Sequence, residues 1–318
     1  MPGPTPGRAH CILRERCPTC FSLETWGHPL ADGGDVQLDA DGCFSYRHLR
    51  SAGDGPISYD PSYFIPKEKV DKIWQRIEEA SHRKPASIAP AILQEAIDAC
   101  EASWDAANEK KQKVDPKCHD ASGVFFMTCR HSQVLFLCNI DTPGEHQEYI
   151  LSLMEEVNDY LSLHATVVQT YDVGCVTDHS LNLFPILSQG FHERVCFVIN
   201  MMHAFGHQWV CQMEYSVECF WSRIHKLIGI TRNHWNSQHI WMIGQYAAFV
   251  NHEGCENLGD WIDCQQHTNI VKKQNTAYKV LRDCGVPERE LRQNWEAQKV
   301  AQTLIRSCVY IDGASGLY

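Results

Sequence analysis

Three acidic residues sit in settings that could organise a hard cation. Asp172 ends the run Thr166–Tyr171, TVVQTY, whose β-branched and aromatic residues read as a strand, and Gly174 follows it closely. A strand that carries a carboxylate out to a glycine turn holds that group at a sheet edge. Asp41 lies in LDADGCF and Glu218 in SVECFWSR. Three carboxylates on a rigid scaffold are what Mg²⁺-dependent chemistry on phosphates needs. Two of them also have plainer readings. Asp41-Gly42 is a type I′ hairpin dipeptide, and the segment taken alone favours that turn. Glu218 reads as a first-turn glutamate interacting with its helix dipole.

Soft-metal chemistry has its own candidates. Cys17 and Cys20 form a CPTC pair, which is half of a zinc site, and no second CxxC follows. His203, His207 and Cys211 recur every four residues in MHAFGHQWVCQ, so neighbouring members share a helix face. His207 and Cys211, with Cys17 and Cys20, are therefore candidate zinc ligands. A zinc protease of the HExxH kind is excluded, because Ala204 follows His203. Cys129-Arg130-His131 reads as a further polar cluster.

The elements that must position these groups follow from periodicity. Val36, Leu38 and Ala40 alternate with Gln37, Asp39 and Asp41, giving a half-buried strand within 35–48. Residues 67–113 read as helices broken at Lys84-Pro85 and near Pro90. Gly123–Cys129 and Val134–Asn139 read as a hairpin across the polar linker Arg130–Gln133. Thr142-Pro143-Gly144-Glu145 reads as an N-cap, a first-turn proline and a capping box for the helix that follows. Residues 194–202 give another strand, and 216–229 an amphipathic helix. Asn251–Asp263 reads as a turn and short helix. Helices over Thr268–Cys284, capped by Gly285, and Glu288–Cys308 close the chain. The order predicts an α/β fold: a ribonuclease-H-like mixed sheet, a helical insertion after its first strand, and C-terminal helices. Residues 1–34, rich in Pro, Gly and Cys, read as loops.

With 318 residues, 44% of them apolar, the chain has material for a substantial core. No run of ~18 apolar residues suggests a membrane span, and the N-terminus lacks a signal-peptide core. An intracellular, reducing location is expected, nuclear if the protein is functional, with thiols or metal ligands in place of disulfides. The net charge of −11 argues against nucleic-acid binding by bulk charge, so any DNA contact must use local groups such as Arg47–Arg50 or Arg223–Arg232.

Many collinear blocks carry a resemblance. They include RCPTCF, GGDVQLDADGCFSYRHLRSAGD, YDPSYFIPKEKVD, DASGVFFMTCRH, LCNIDTPGEHQEY, YDVGC, HAFGHQWVCQ, FWSRIHKLIGITR, LGDWI and WEAQKVAQT, spread over about residues 15–305. Together they resemble the Kyakuja–Dileera–Zisupton (KDZ) transposases, known chiefly from fungal genomes. The resemblance implies a DDE-type nuclease core of ribonuclease-H-like fold and cleavage and strand transfer on transposon-end DNA with Mg²⁺ or Mn²⁺. It implies catalytic acids at Asp41, Asp172 and Glu218, and a homo-oligomer as a candidate assembly. It suggests a Cys-containing N-terminal segment 1–34 (a candidate zinc-knuckle remnant), a core over 35–232 with its insert at about 50–117, and a helical region over 233–318.

Three departures matter. Only Met-Glu-Tyr-Ser-Val separates Gln212 from Glu218, where the family has a longer Pro/Gly-rich stretch. A misassigned exon and genuine decay both explain that loss. Ser132 replaces an aspartate common after CRH. The family's long terminal extensions have no counterpart here. The expectation is a transposase-derived protein, a truncated or degenerate copy of a divalent-metal nuclease. The competing reading is a zinc-stabilised protein- or DNA-interaction module without catalysis.

Overall fold

The computed structural model describes residues 7–57, 61–83, 117–188, 190–199, 223–264 and 270–303. The central strand β1 (Val36–Cys43) pairs antiparallel with β4 (Gly123–Cys129) on one side and parallel with β6 (Val167–Thr170) on the other. Beyond them, β5 (Val134–Ile140) pairs antiparallel with β4, and β7 (Val195–Val198) parallel with β6. The five-stranded mixed sheet has the order β5-β4-β1-β6-β7. A separate ribbon joins β2 (His48–Leu49) to β3 (His119–Ala121). This is the expected α/β class, and the hairpin across 130–133 is present.

Helices cover both faces of the sheet, which is why every residue of β4 is buried. On one face Leu38, Ala40, Phe125 and Met127 pack with Tyr149, Leu153 and Val157 of α4 (Gln147–Tyr160). The same core takes in Val70 and Ile73 of α3 (Lys67–Ser81) and residues of α1 (Cys11–Arg16) and α2 (Pro18–Phe21). On the other face Val124, Phe126 and Leu137 pack with Ile243, Ala247 and Val250 of α7 (Asn236–Glu256). Between these, α5 (Gly174–Leu183) follows β6, and α6 (Ile228–Thr231) precedes α7. The helices α8 (Leu258–Cys264), α9 (Val271–Asp283) and α10 (Glu288–Thr303) follow. Among the described residues no helix is long and apolar enough to cross a membrane.

Four local expectations are corrected. Asp41-Gly42 is not a turn: both residues lie inside β1, opposite Phe126 and Phe125, because the fully buried β4 supplies a partner for that length of chain. The helix expected from Thr142 starts at Gln147, with His146 at its N-cap. The Tyr149 hydroxyl accepts the N–H groups of Asp141 and Thr142 at 3.1 Å each, and the Thr142 hydroxyl turns to Gly144 O at 2.6 Å, so 142–145 is a loop. Asn251 is helical, since α7 continues to Glu256. Its buried amide accepts from Val134 N–H and donates to Val134 O, both at 2.7 Å, satisfying the buried first residue of β5. Within 1–34, Cys11–Arg16 and Pro18–Phe21 are helical and not loops. Residues 84–116 of the helical insert and 200–222 lie outside the described residues.

The start of the β1–β6 pair is locked by side chains. Asp35 accepts the Thr166 N–H at 2.8 Å and its hydroxyl at 3.0 Å, while also accepting Gly27 N–H at 2.8 Å. In return the Asp35 N–H donates to the Thr166 hydroxyl at 3.0 Å. Burial alone would raise the Asp35 carboxyl. Donors from Thr166, Gly27 and His28 outweigh it and hold the group below its ordinary value of 3.8. A carboxyl depressed in the folded state adds stability above its unfolded value, and that stability is lost as pH falls through the folded value. Asp35→Ala should therefore cost about 2–4 kcal/mol at pH 7 in urea unfolding and lose less stability than the parent below about pH 4. An equal acid slope in both proteins would contradict this.

Candidate functional site

The parallel register fixes where Asp41 and Asp172 stand. Val36 pairs with Val167 and Asp39 with Thr170, where the pairing ends, and Asp41 and Asp172 each lie two residues further along the chain. Asp41 is in the last turn-free stretch of β1, its Oδ1 accepting the Gly42 N–H at 2.7 Å. Asp172 lies in the turn between β6 and α5, where the helix N-terminus favours negative charge. Both residues thus stand at one end of adjacent strands. Glu218, His203, His207 and Cys211 lie outside the described residues.

A third carboxylate joins this corner. The carboxyl of Glu145 lies over Gly42, so close that a Cβ there would meet Glu145 Oε2 at 2.9 Å and Ile140 Cδ1 at 3.2 Å. The loop that carries Glu145 is held by Tyr149, whose hydroxyl donates to Asp141 Oδ1 at 2.8 Å. Between the strands' ends lies Tyr171, buried edge-on against Phe125 with ring centres 5.9 Å apart. Burial pushes the Tyr171 phenol well above its usual range, and the charges of Glu145, Asp172 and Asp41 push it further. One fully buried hydroxyl therefore feels three carboxylates. Among the described residues these three carboxylates do not form a group whose ligand atoms lie within reach of one ion.

The thiol chemistry gathers elsewhere. Cys17, Cys20, Cys129 and His131 bring one ligand atom each within 4.8 Å of the others, and the three cysteines are buried. His131 Nδ1 lies 3.1 Å from Cys20 Sγ and 3.5 Å from Cys17 Sγ. Cys17 is the N-cap of α2 with Pro18 at its first position, which turns both sulfurs of CPTC inward. Cys129 ends β4, and the turn after it closes through Ser132 N–H to Cys129 O at 2.8 Å. Ser132 holds φ 57°, a left-handed conformation that Asp and Asn adopt more readily than Ser. Hydrogen bonding to Cys129, then to Cys17, and burial raise the Cys20 thiol far above its usual range. Burial would also raise Cys129, but donors from Cys17, Cys20 and the N–H groups of His131 and Gln133 hold it well below that range. Three sulfurs and one imidazole could hold a metal such as zinc.

The sequence reading missed two components. Glu145 looks like a capping-box residue, and only its closeness to Gly42 reveals its position at the strand ends. Cys129 and His131 were noticed as a polar cluster, but not as the missing half of CPTC. A Cys-x-His at a hairpin turn was the available signal.

Against known proteins, the family description "Kyakuja-Dileera-Zisupton transposase" matches residues 35–251, more than half of the chain. The chain belongs to the KDZ transposase family. The match spans Asp41, Glu145, Asp172, Cys129 and His131, whereas Cys17 and Cys20 precede it. No curated protein matches the chain, and no solved structure does.

Gly42→Ala should force the Glu145 carboxyl aside and cost about 1–3 kcal/mol. Part of that cost should vanish when Glu145→Ala is added, a coupling readable from a double-mutant cycle in urea. Strictly additive effects would mean that the two residues do not touch.

Proposed function

We propose that this KDZ family member is a transposase-derived protein with a ribonuclease-H-like core, roughly residues 35–232, that retains a divalent-cation corner but is degenerate as a nuclease. The strand order supports the core assignment: three antiparallel strands, then two parallel ones, with the first strand central. One observation carries the site reading. Carried two positions past the last β1–β6 pair, Asp39 with Thr170, the register would bring Asp41 opposite Asp172 in the turn after β6.

In this reading Asp41 and Asp172 supply the ligands for Mg²⁺ or Mn²⁺, and Glu218 is the family's third acid. Held there, such ions would supply the chemistry of an intact family member, activation of a water or 3′-hydroxyl and stabilisation of the leaving oxygen at a DNA phosphodiester. The rest of the work falls to the chain. Tyr171, pinned under the corner, keeps the ends of β1 and β6 packed on a dry floor. Glu145 adds negative charge beside the pair and strengthens its attraction for a cation. With a net charge of −11, the surface as a whole repels DNA, so substrate contact falls to local basic groups such as Arg223 and Arg232.

Degeneracy rests on the third motif, where five residues separate Gln212 from Glu218. The family has a longer stretch there, and its loss argues against a working third acid at Glu218. The zinc-stabilised interaction module remains the second reading, favoured by the buried Cys3His cluster.

Mn²⁺ titration followed by electron paramagnetic resonance separates the readings. Wild-type protein should bind Mn²⁺, with affinity reduced at least ~10-fold in Asp41→Ala and in Asp172→Ala, and should leave terminal-repeat DNA uncleaved. Cleavage that both substitutions abolish would overturn degeneracy and establish an intact nuclease. Mn²⁺ binding that neither substitution changes would overturn the cation corner and leave the interaction module.

A further inference from the structure

We propose that Cys17, Cys20, Cys129 and His131 form a closed, structural zinc clamp that fastens the stretches flanking the family core onto the β4–β5 hairpin. This stands independently of whether Asp41 and Asp172 bind a cation.

The geometry favours zinc. A tetrahedral ion with Zn–S near ~2.3 Å and Zn–N near ~2.0–2.1 Å sets its sulfur and nitrogen ligands about 3.6 Å apart. His131 Nδ1 lies 3.1 and 3.5 Å from the sulfurs of Cys20 and Cys17, and all four ligand atoms fall within 4.8 Å of one another. A small inward or outward adjustment of side chains seats the ion. Sulfur-rich donors select zinc over the hard cations that suit the carboxylate corner. Four protein ligands leave no open position, and three of them are buried, so the centre is structural and not catalytic. Supporting groups are present. The N–H groups of His131 and Gln133 donate toward Cys129, and the edge contact of Trp261 with the His131 ring, 5.6 Å between centres, fixes the imidazole.

The four ligands come from two distant stretches, 17–20 and 129–131, and a third, 254–261, packs against them. CPTC lies at the α1–α2 corner, and Cys20 is 111 residues from His131. The α1 helix is further held by Arg16, whose buried guanidinium donates to Leu135 O and Ser62 O and stacks 4.3 Å from both the Tyr63 and Phe136 rings. From the other side the end of α7 closes in. A Cβ on Gly254 would run into the Gln133 amide, and Cys255 Sγ lies 3.8 Å from both Arg16 O and Gln133 Oε1. Cys255 thus packs beside the cluster without joining its four ligand atoms. Residues 17–20 and 254–261 both fall outside the family match, 35–251, so the clamp ties both flanks to the core. Metal binding of this kind is coupled to folding, and losing the ion frees what it held.

Metal analysis of the full chain, purified without chelator, provides the test. Cys129→Ser and His131→Ala should each lose one equivalent of zinc relative to wild type. Cys255→Ser should lose none. His131→Cys should keep the ion, guarding against the case in which the other variants merely fail to fold. Cobalt(II)-loaded wild type should show the strong d–d bands of a tetrahedral site and thiolate charge transfer, the latter rising by about a third in His131→Cys as three thiolates become four. Zinc removal should lower the melting temperature by at least ~5 °C and open protease sites in both 7–34 and 254–264. Unchanged zinc content in Cys129→Ser and His131→Ala, or loss in Cys255→Ser, would overturn the proposal. A cobalt spectrum without thiolate charge transfer, or a zinc-free protein with unaltered melting and proteolysis, would do the same.

Discussion

Everything at the carboxylate corner depends on the register of one parallel strand pair. At its start, Asp35 and Thr166 exchange backbone and side-chain hydrogen bonds, which admits only one alignment of β1 against β6. Asp41 is six residues beyond Asp35, and Asp172 six beyond Thr166. A lock at one end therefore sets the alignment that the two strands carry toward Asp41 and Asp172 at the other. A slip of one residue would send one of the acids to the opposite face of the sheet.

The same strand makes its antiparallel contact with β4, and that contact organises the rest. Gly42 opposite Phe125 leaves the space that the Glu145 carboxyl fills, and Phe125 in turn supports Tyr171. At the far end of the hairpin, the turn that follows β4 aims Cys129 and His131 at CPTC. The β4 strand thus runs between two metal-type chemistries. The soft sulfur cluster at the hairpin could hold a metal such as zinc, and the hard oxygens proposed at the other end would suit a different ion.

Much of this was legible in the sequence. The alternation of Val36, Leu38 and Ala40 with polar neighbours marked β1, and the two apolar runs around Arg130–Gln133 marked the hairpin. What failed did so for identifiable reasons. Asp41-Gly42 carries a strong turn signal, but pairing with a buried neighbour overrides local preference. Thr142-Pro143-Gly144-Glu145 satisfies every local rule for a helix start, yet the Tyr149 hydroxyl takes the Thr142 N–H that Glu145 would have capped, and the Thr142 hydroxyl bonds Gly144 O. CPTC looked incomplete because its partners lie more than a hundred residues away, and sequence spacing cannot express a contact made by strand order. The Asn251 amide that finishes β5 left no pattern at all, since a helical asparagine gives no hint of a distant strand.

The central claim is that the β1–β6 register creates one cation site between Asp41 and Asp172. The most direct measurement is anomalous scattering from crystals grown with Mn²⁺. The account predicts a manganese peak bounded by the carboxylates of both residues. Ordered manganese bound elsewhere, with Asp41 and Asp172 carrying none, would contradict it.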